Sequence, residues 1–138
     1  MERIFITGLD GFVGTHMAKY YVENGKQVCG TFWSFEDRDD LNELKKSVTY
    51  DKINILDGDS FSKFFKEQNP DKVVHLAAQS AIPQSWEDPQ GTLQINIGGT
   101  YNVFSALLEL NKEIPILVVG AAAEYGHIKC DGSLISED

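Results

Sequence analysis

Gly8-Leu9-Asp10-Gly11-Phe12-Val13-Gly14 is the stretch on which the fold turns: three glycines at offsets of three, set directly behind the short apolar run Arg3 to Thr7. Gly8 lets the chain turn, Gly11 allows backbone to approach a pyrophosphate, and Gly14 lets the following helix pack close to the sheet. On its own such a string also fits a plain tight turn, so its setting decides. Arg3 to Thr7 reads as a strand, and Phe12 to Asn24 carries helical periodicity through Val13, Met17, Tyr20 and Tyr21 until Gly25 stops it. A helix that starts at the glycine turn offers unpaired N–H groups and positive potential to phosphates, so strand, turn and helix together imply dinucleotide binding.

The same alternation continues outward. Gln27 to Phe32 is a second strand, a helix around Asp37 to Lys46 turns Leu41 and Leu44 inward, and Val48 to Ile53 is a third strand. Ser60 to Gln68 is helical with Phe61, Phe64 and Phe65 as its buried stripe, ended by Asn69-Pro70. Lys72 to Ala77 holds a dense apolar strand. The segment after Pro89 predicts a long helix with Leu93, Ile97, Tyr101, Phe104 and Leu108 facing inward, and Pro115 to Gly120 is a fifth strand. Beyond Tyr125 the chain is polar, carries glycines and shows no period. Five short apolar strands separated by helices imply a doubly wound α/β domain over residues 1–138, a Rossmann-like parallel sheet covered on both faces. Right-handed crossovers with one reversal give the strand order 3-2-1-4-5. That order places strands one and four side by side and predicts a ligand crevice between Gly8–Gly14 and the residues after His75.

Composition narrows the function. Among 138 residues, 12 Lys and Arg stand against 21 Asp and Glu, a formal net charge of −9, and no basic patch is visible. That balance argues against nucleic acid or an anionic membrane surface as partner. Hydrophobic residues make up 42% of the chain, enough for a core and unlike a disordered acidic tail. Cys29 in a strand and Cys130 in a loop read as two unpaired thiols of a reducing compartment. The amino terminus enters a strand at once, with neither a secretory leader nor an apolar run of membrane-spanning length, so the cytoplasm is the expected location.

An acid at the end of strand two accepts hydrogen bonds from the adenosine ribose and repels a 2′-phosphate. Here Thr31, Phe32, Trp33 and Ser34 stand at that end, with Glu36, Asp37 and Arg38 slightly later. The absence of an acid at the tip leans towards NADP over NAD, with Ser34 and Arg38 either near the phosphate or simply solvated.

Three strings taken together, GLDGFVG at 8–14, HLAAQSAIPQSWEDPQGTLQINIGGTYNV at 75–103 and VGAAAEYG at 119–126, resemble the NAD(P)-dependent epimerase/dehydratase family. These are extended short-chain dehydrogenase/reductases, and the nearest groups are GDP-mannose 4,6-dehydratase and the GDP-4-keto-6-deoxy-mannose reductases. The resemblance implies that Gly8, Gly11, Phe12, Val13 and Gly14 hold the cofactor phosphates, and that Asn54 and Ile55 meet the adenine edge. It also implies that Leu76, Ala77 and Ala78 run under the pyrophosphate and nicotinamide ribose. A polar cap closing strand three is the other role open to Asn54. His75 reads as a satisfied residue at a strand end, and Asn96 matches the family asparagine that braces the active-site backbone. Ser80 to Trp86 resembles the loop that approaches the sugar nucleotide, although Trp86 fits a packing anchor equally well.

The family's catalytic pattern fails at three points. Its Ser or Thr after strand five falls on Ala121, with Ala122 beside it, and the neighbouring acid of dehydratases falls on Ala123, leaving Glu124. Tyr125 and Lys129 stand four apart, but Gly126 interrupts them, whereas the family's Tyr-x-x-x-Lys pair lies on a later helix. Leu134 to Asp138 resembles the approach to that helix, so the chain reads as ending before strand six and the substrate domain. Two functions follow from the resemblance. One is the nucleotide-binding part of a reductase or dehydratase acting at C4 of a GDP-hexose, inactive as this chain alone. The other is a non-catalytic dinucleotide-binding or scaffold subunit, a homodimer or paired with a full-length homologue.

Overall fold

Side-chain alternation on the first strand sets the architecture. In β1 (Arg3–Thr7), Ile4 and Ile6 face one side and Phe5 the other, all at most 1% exposed, so the strand is covered on both faces. The computed structural model describes residues 1–34 and 39–126. Within them β1, β2 (Gln27–Phe32), β3 (Thr49–Lys52), β4 (Lys72–His75) and β5 (Ile116–Val118) form one parallel sheet in the order β3-β2-β1-β4-β5, as the sequence predicts.

The helices are α1 (Phe12–Glu23), α2 (Asp39–Leu44), α3 (Gly58–Gln68), α4 (Ile82–Glu87), α5 (Pro89–Leu93) and α6 (Thr100–Glu109), with a π-helical turn at Gln94–Gly99 between the last two. One core lies under α1 and α2, where Ala18, Leu41 and Leu44 cover Ile4, Ile6, Val28, Phe32 and Val74. The other lies under α3 and α6, where Phe61, Phe64, Phe65, Val103 and Ala106 close over Phe5, Cys29 and Val73. Phe5 meets Phe65 and Phe61 edge-on at centroid distances of 4.9 and 5.7 Å, a geometry that adds to the area term. The start of α3 is fixed by Asp57, whose carboxylate accepts from the Ser60 N–H at 3.1 Å, and its end by Asn69 in the left-handed region at φ 44°.

Three sequence expectations change. In α1 the buried positions are Gly14, Thr15 and Ala18; Met17 and Tyr21 pack at the edge of the core, whereas Val13 and Tyr20 are 52% and 62% exposed. Small residues face the sheet there because the helix lies close to it. The long helix after Pro89 is broken by the π-helical turn, and its large apolar residues face away from the sheet. Leu93, Ile97, Tyr101, Phe104 and Leu108 are 42–82% exposed, while Gly99, Val103 and Ala106 are buried. The segment containing Ser80 to Trp86 is partly helical, and Trp86, at 82% exposed, anchors nothing within the described residues.

Candidate functional site

Gly8 sits at φ +71°, a conformation L side chains rarely adopt, and a Cβ there would stand 3.1 Å from the Ala77 nitrogen across the β1–β4 junction. Gly14 is buried where α1 crosses the turn, and a Cβ on it would collide with the Gly8 carbonyl oxygen. These two glycines bring the first turn of α1 down onto the carboxyl ends of β1 and β4. Gly11 is the N-cap residue, and no side chain caps the helix nor does any acid lie in its first turn. The first N–H groups, on Phe12, Val13 and Gly14, therefore have no intrahelical partner and carry the positive end of the helix dipole. Val13 can offer this place only its backbone, since its side chain lies on the exposed face.

A cleft of about 500 Å³ opens above this turn, at the point where the strand order reverses. It is lined by Gly8, Gly11 and Phe12 on one side and by Leu76, Ala77 and Ala78 on the other, with Asn54 and Ile55 at the end of β3. Of the sequence-predicted residues only Val13 and Gly14 do not line it, for the reasons just given. Asn54 spends its side-chain oxygen locally, accepting from the Leu56 N–H at 3.0 Å while its backbone oxygen accepts from Asp57 at 2.9 Å. It thus caps the chain leaving β3 and also faces the cleft.

Beneath the cleft runs a hydrogen-bonded chain that sequence reasoning reached only in part. Thr7 Oγ1 accepts from the N–H groups of Leu76 and Ala77 at 3.1 and 3.0 Å and lies 2.8 Å from His75 Nδ1. With two N–H groups already donating to that oxygen, the Thr7 hydroxyl donates to Nδ1, which leaves the His75 proton on Nε2. Nε2 then donates to Thr100 Oγ1 at 3.0 Å, and Thr100 donates to the Asn96 carbonyl at 2.6 Å. Asn96 in turn clasps Gln79 at both backbone groups, accepting its N–H at 2.7 Å and donating to its oxygen at 3.0 Å. The bracing asparagine is therefore joined to β1 through His75, and the π-helical turn is where Asn96 is presented. Burial pushes the His75 pKa down, which favours the neutral ring that this chain requires. Because the Leu76 and Ala77 N–H groups are spent on Thr7, those residues can offer a ligand only close approach, and the donors for a phosphate are those of α1.

Asp10 of the glycine turn reaches the end of β2, where the sequence itself carries no acid. Asp10 Oδ2 accepts from the N–H groups of Trp33 and Ser34 at 3.0 and 2.6 Å and from the Ser34 hydroxyl at 3.2 Å. Asp10, Thr31, Trp33, Ser34, Leu56, Gln79 and Ile95 all line the cleft without having been singled out for it, except that Ser34 was placed near an adenosine phosphate. The only clue to Asp10 was its place inside the glycine string, since nothing in spacing pairs residue 10 with residue 34. Arg38, the other residue placed near that phosphate, lies outside the described residues, as do Glu36, Asp37, Lys129, Cys130 and the stretch 134–138.

At the opposite end of the sheet, Ala121 follows β5, and its N–H donates to Glu124 Oε1 at 2.7 Å. Glu124 thereby closes the 3-10 turn Ala122–Tyr125 onto the end of the strand, and Gly126 leaves it at φ +67°. Cys29 is buried, donates weakly to the Ile4 carbonyl at 3.6 Å, and has its pKa pushed up to about 12 by burial, so it is chemically quiet. Among the described residues no group of metal-binding side chains occurs, and no helix is long and apolar enough to cross a membrane.

Comparison with known proteins agrees with this geometry. The family model described as GDP-mannose 4,6 dehydratase matches residues 5–138. GDP-6-deoxy-D-mannose reductase of Pseudomonas aeruginosa is 34% identical over 127 residues, 92% of this chain and 36% of that protein. Protein CapI of Staphylococcus aureus is 30% identical over 131 residues, 90% of this chain and 39% of its own length. The crystal structure of Thermus thermophilus UDP-glucose 4-epimerase in complex with NAD superposes with a TM-score of 0.86 at 25% identity, covering 98% of this chain and 42% of the epimerase. The chain thus spans about four-tenths of the length of the proteins it matches.

Proposed function

The chain belongs to the GDP-mannose 4,6 dehydratase family, within the NAD(P)-dependent epimerases and dehydratases, and from that premise we propose that it is the nucleotide-binding part of a nucleotide-sugar reductase or dehydratase. The substrate of the complete enzyme is a GDP-hexose and the reaction is at C4. The observation that carries this reading is the cleft at the β1–β4 junction. There the uncapped first turn of α1, the two close-approach glycines and a floor of small residues converge on a space suited to a pyrophosphate.

In this reading the N–H groups of Phe12, Val13 and Gly14 hold the pyrophosphate, and Leu76, Ala77 and Ala78 lie under it. Asn54 and Ile55 border the adenine. A bound nicotinamide dinucleotide supplies the hydride chemistry. What the residues of this chain contribute is binding and orientation, with Asn96 and His75 holding the floor of the cleft in place. The lean towards the phosphorylated cofactor rests on the absence of an acid from β2 itself.

In this reading the chain alone turns nothing over: Ala121 offers no hydroxyl to orient a sugar oxygen, and Gly126 interrupts the spacing of Tyr125 and Lys129. A second reading, a non-catalytic dinucleotide-binding or scaffold subunit of the cytoplasm, is favoured by Ala121.

The deciding experiment is calorimetric titration of the folded chain with NADH and NADPH, with Gly11→Trp as control. Weak but measurable binding that the tryptophan abolishes is the expected result. A folded chain that gives no heat and no thermal protection with either cofactor overturns the cofactor reading.

A further inference from the structure

We propose that Asp10 is the residue that sets the cofactor form, selecting NAD and rejecting NADP. The proposal rests on the reading of the cleft as a dinucleotide site and goes beyond it to the adenosine ribose. The end of β2 is where an adenosine ribose comes to lie in this fold, and it offers three donors: the Trp33 N–H, the Ser34 N–H and the Ser34 hydroxyl. Two consecutive backbone N–H groups with a serine hydroxyl are the groups that would receive a 2′-phosphate. All three already donate to a single oxygen, Oδ2 of Asp10. The carboxylate is thus an internal anion seated where the phosphate would be, held by the same donors.

Charge points the same way. Asp10 places a carboxylate on the wall of the cleft, at the end of β2. A 2′-phosphate would bring close to two negative charges against this carboxylate, in a chain whose net charge is already −9. An unphosphorylated ribose meets no such repulsion, and its 2′-hydroxyl can donate to a carboxylate. Selection therefore comes from a residue of the glycine turn reaching across to β2, instead of from an acid carried by β2 itself.

The test is titration of the 138-residue chain with NADH and NADPH separately, in the wild type, in Asp10→Asn and in Asp10→Ser. Thermal melting confirms that each variant is folded. The wild type is expected to bind NADH about tenfold or more tightly than NADPH, since repulsion between close charges reaches that scale. Removing the charge should lower that ratio by about tenfold in either variant. Asn keeps an acceptor for the Trp33 and Ser34 N–H groups, and Ser covers the case in which the asparagine variant does not fold. A wild type that prefers NADPH or binds both equally overturns the proposal, as does a ratio that neither variant moves. Silence from both cofactors is a different result, because it removes the dinucleotide reading itself and this proposal with it.

Discussion

His75 shows what one buried ring contributes at this site. Both its nitrogens are engaged by hydroxyls, from Thr7 on β1 and from Thr100 at the start of α6, and it is 5% exposed. Protonation would make both nitrogens donors, and the Thr7 hydroxyl, which already accepts two backbone N–H groups, would lose the acceptor for its own proton. Desolvation therefore holds the folded-state pKa below the ordinary value of 6.5. Below pH 6.5 the unfolded chain takes up a proton that the folded chain refuses, so stability is fully present above that pH and is lost as the pH falls towards the native pKa. The loss has a limiting slope of about 1.4 kcal/mol per pH unit for one group. Urea denaturation at pH 7.5 and 5.5 should show His75→Gln losing less stability over that interval than the wild type, and equal losses would remove His75 as the cause. At this scale the sequence was legible where a residue acts through its own backbone, as Gly8 and Gly14 do. It was not where a side chain acts across 23 or 24 positions, as the Asp10 carboxylate does on Trp33 and Ser34.

Elements were legible in kind more than in facing. All five strands and their order follow from apolar runs and crossover handedness, because a parallel sheet leaves strands buried on both faces and strongly apolar. The phase of α6 did not follow. Its largest apolar residues repeat at helical spacing and so read as the buried stripe, yet α6 is held close to the sheet by Gly99, Val103 and Ala106. The π-helical turn before it hydrogen-bonds at a wider spacing, so the phase of Leu93 cannot be carried through to Leu108 at a constant 100° per residue. The Asn102 side chain, which donates to the Ile55 carbonyl at 2.9 Å, pins α6 to the end of β3 from its other flank. The two assignments differ sharply in energy. Val103→Ala, at a fully buried position in the core cluster that also holds Phe5 and the α3 phenylalanines, should cost about 1–3 kcal/mol in chemical denaturation. Leu108→Ala, at 82% exposed, should stay within about 0.5 kcal/mol of the wild type. The reverse ranking would mean that the apolar stripe and not the small-residue face meets the sheet.

Over the whole molecule, charge is spread unevenly, and the sign of its effect on stability can be argued. Pro89 to Leu108 carries no charged residue in a chain with 21 acids and 12 bases, so the net −9 is concentrated on the remaining surface. Against that stand ion pairs such as Glu2 with Lys26 and Lys72 at 2.9 and 2.8 Å, and Lys66 with Glu109. The two lysines beside Glu2 hold its pKa down at about 2, yet these pairs sit at the surface, where salt and water weaken them. Self-repulsion of a compact chain with excess negative charge acts over longer distances and is screened by the same salt. With nine more acids than bases, relief of repulsion should outweigh loss of the pairs. The melting temperature is therefore expected to rise by roughly 2–5 °C between 10 mM and 300 mM sodium chloride at pH 7.5, the scale of about 1 kcal/mol for a domain of this size. Differential scanning calorimetry at the two salt concentrations measures it directly. A melting temperature that falls with salt would show that the surface pairs, and Glu2 with its two lysines above all, contribute more than their exposure implies.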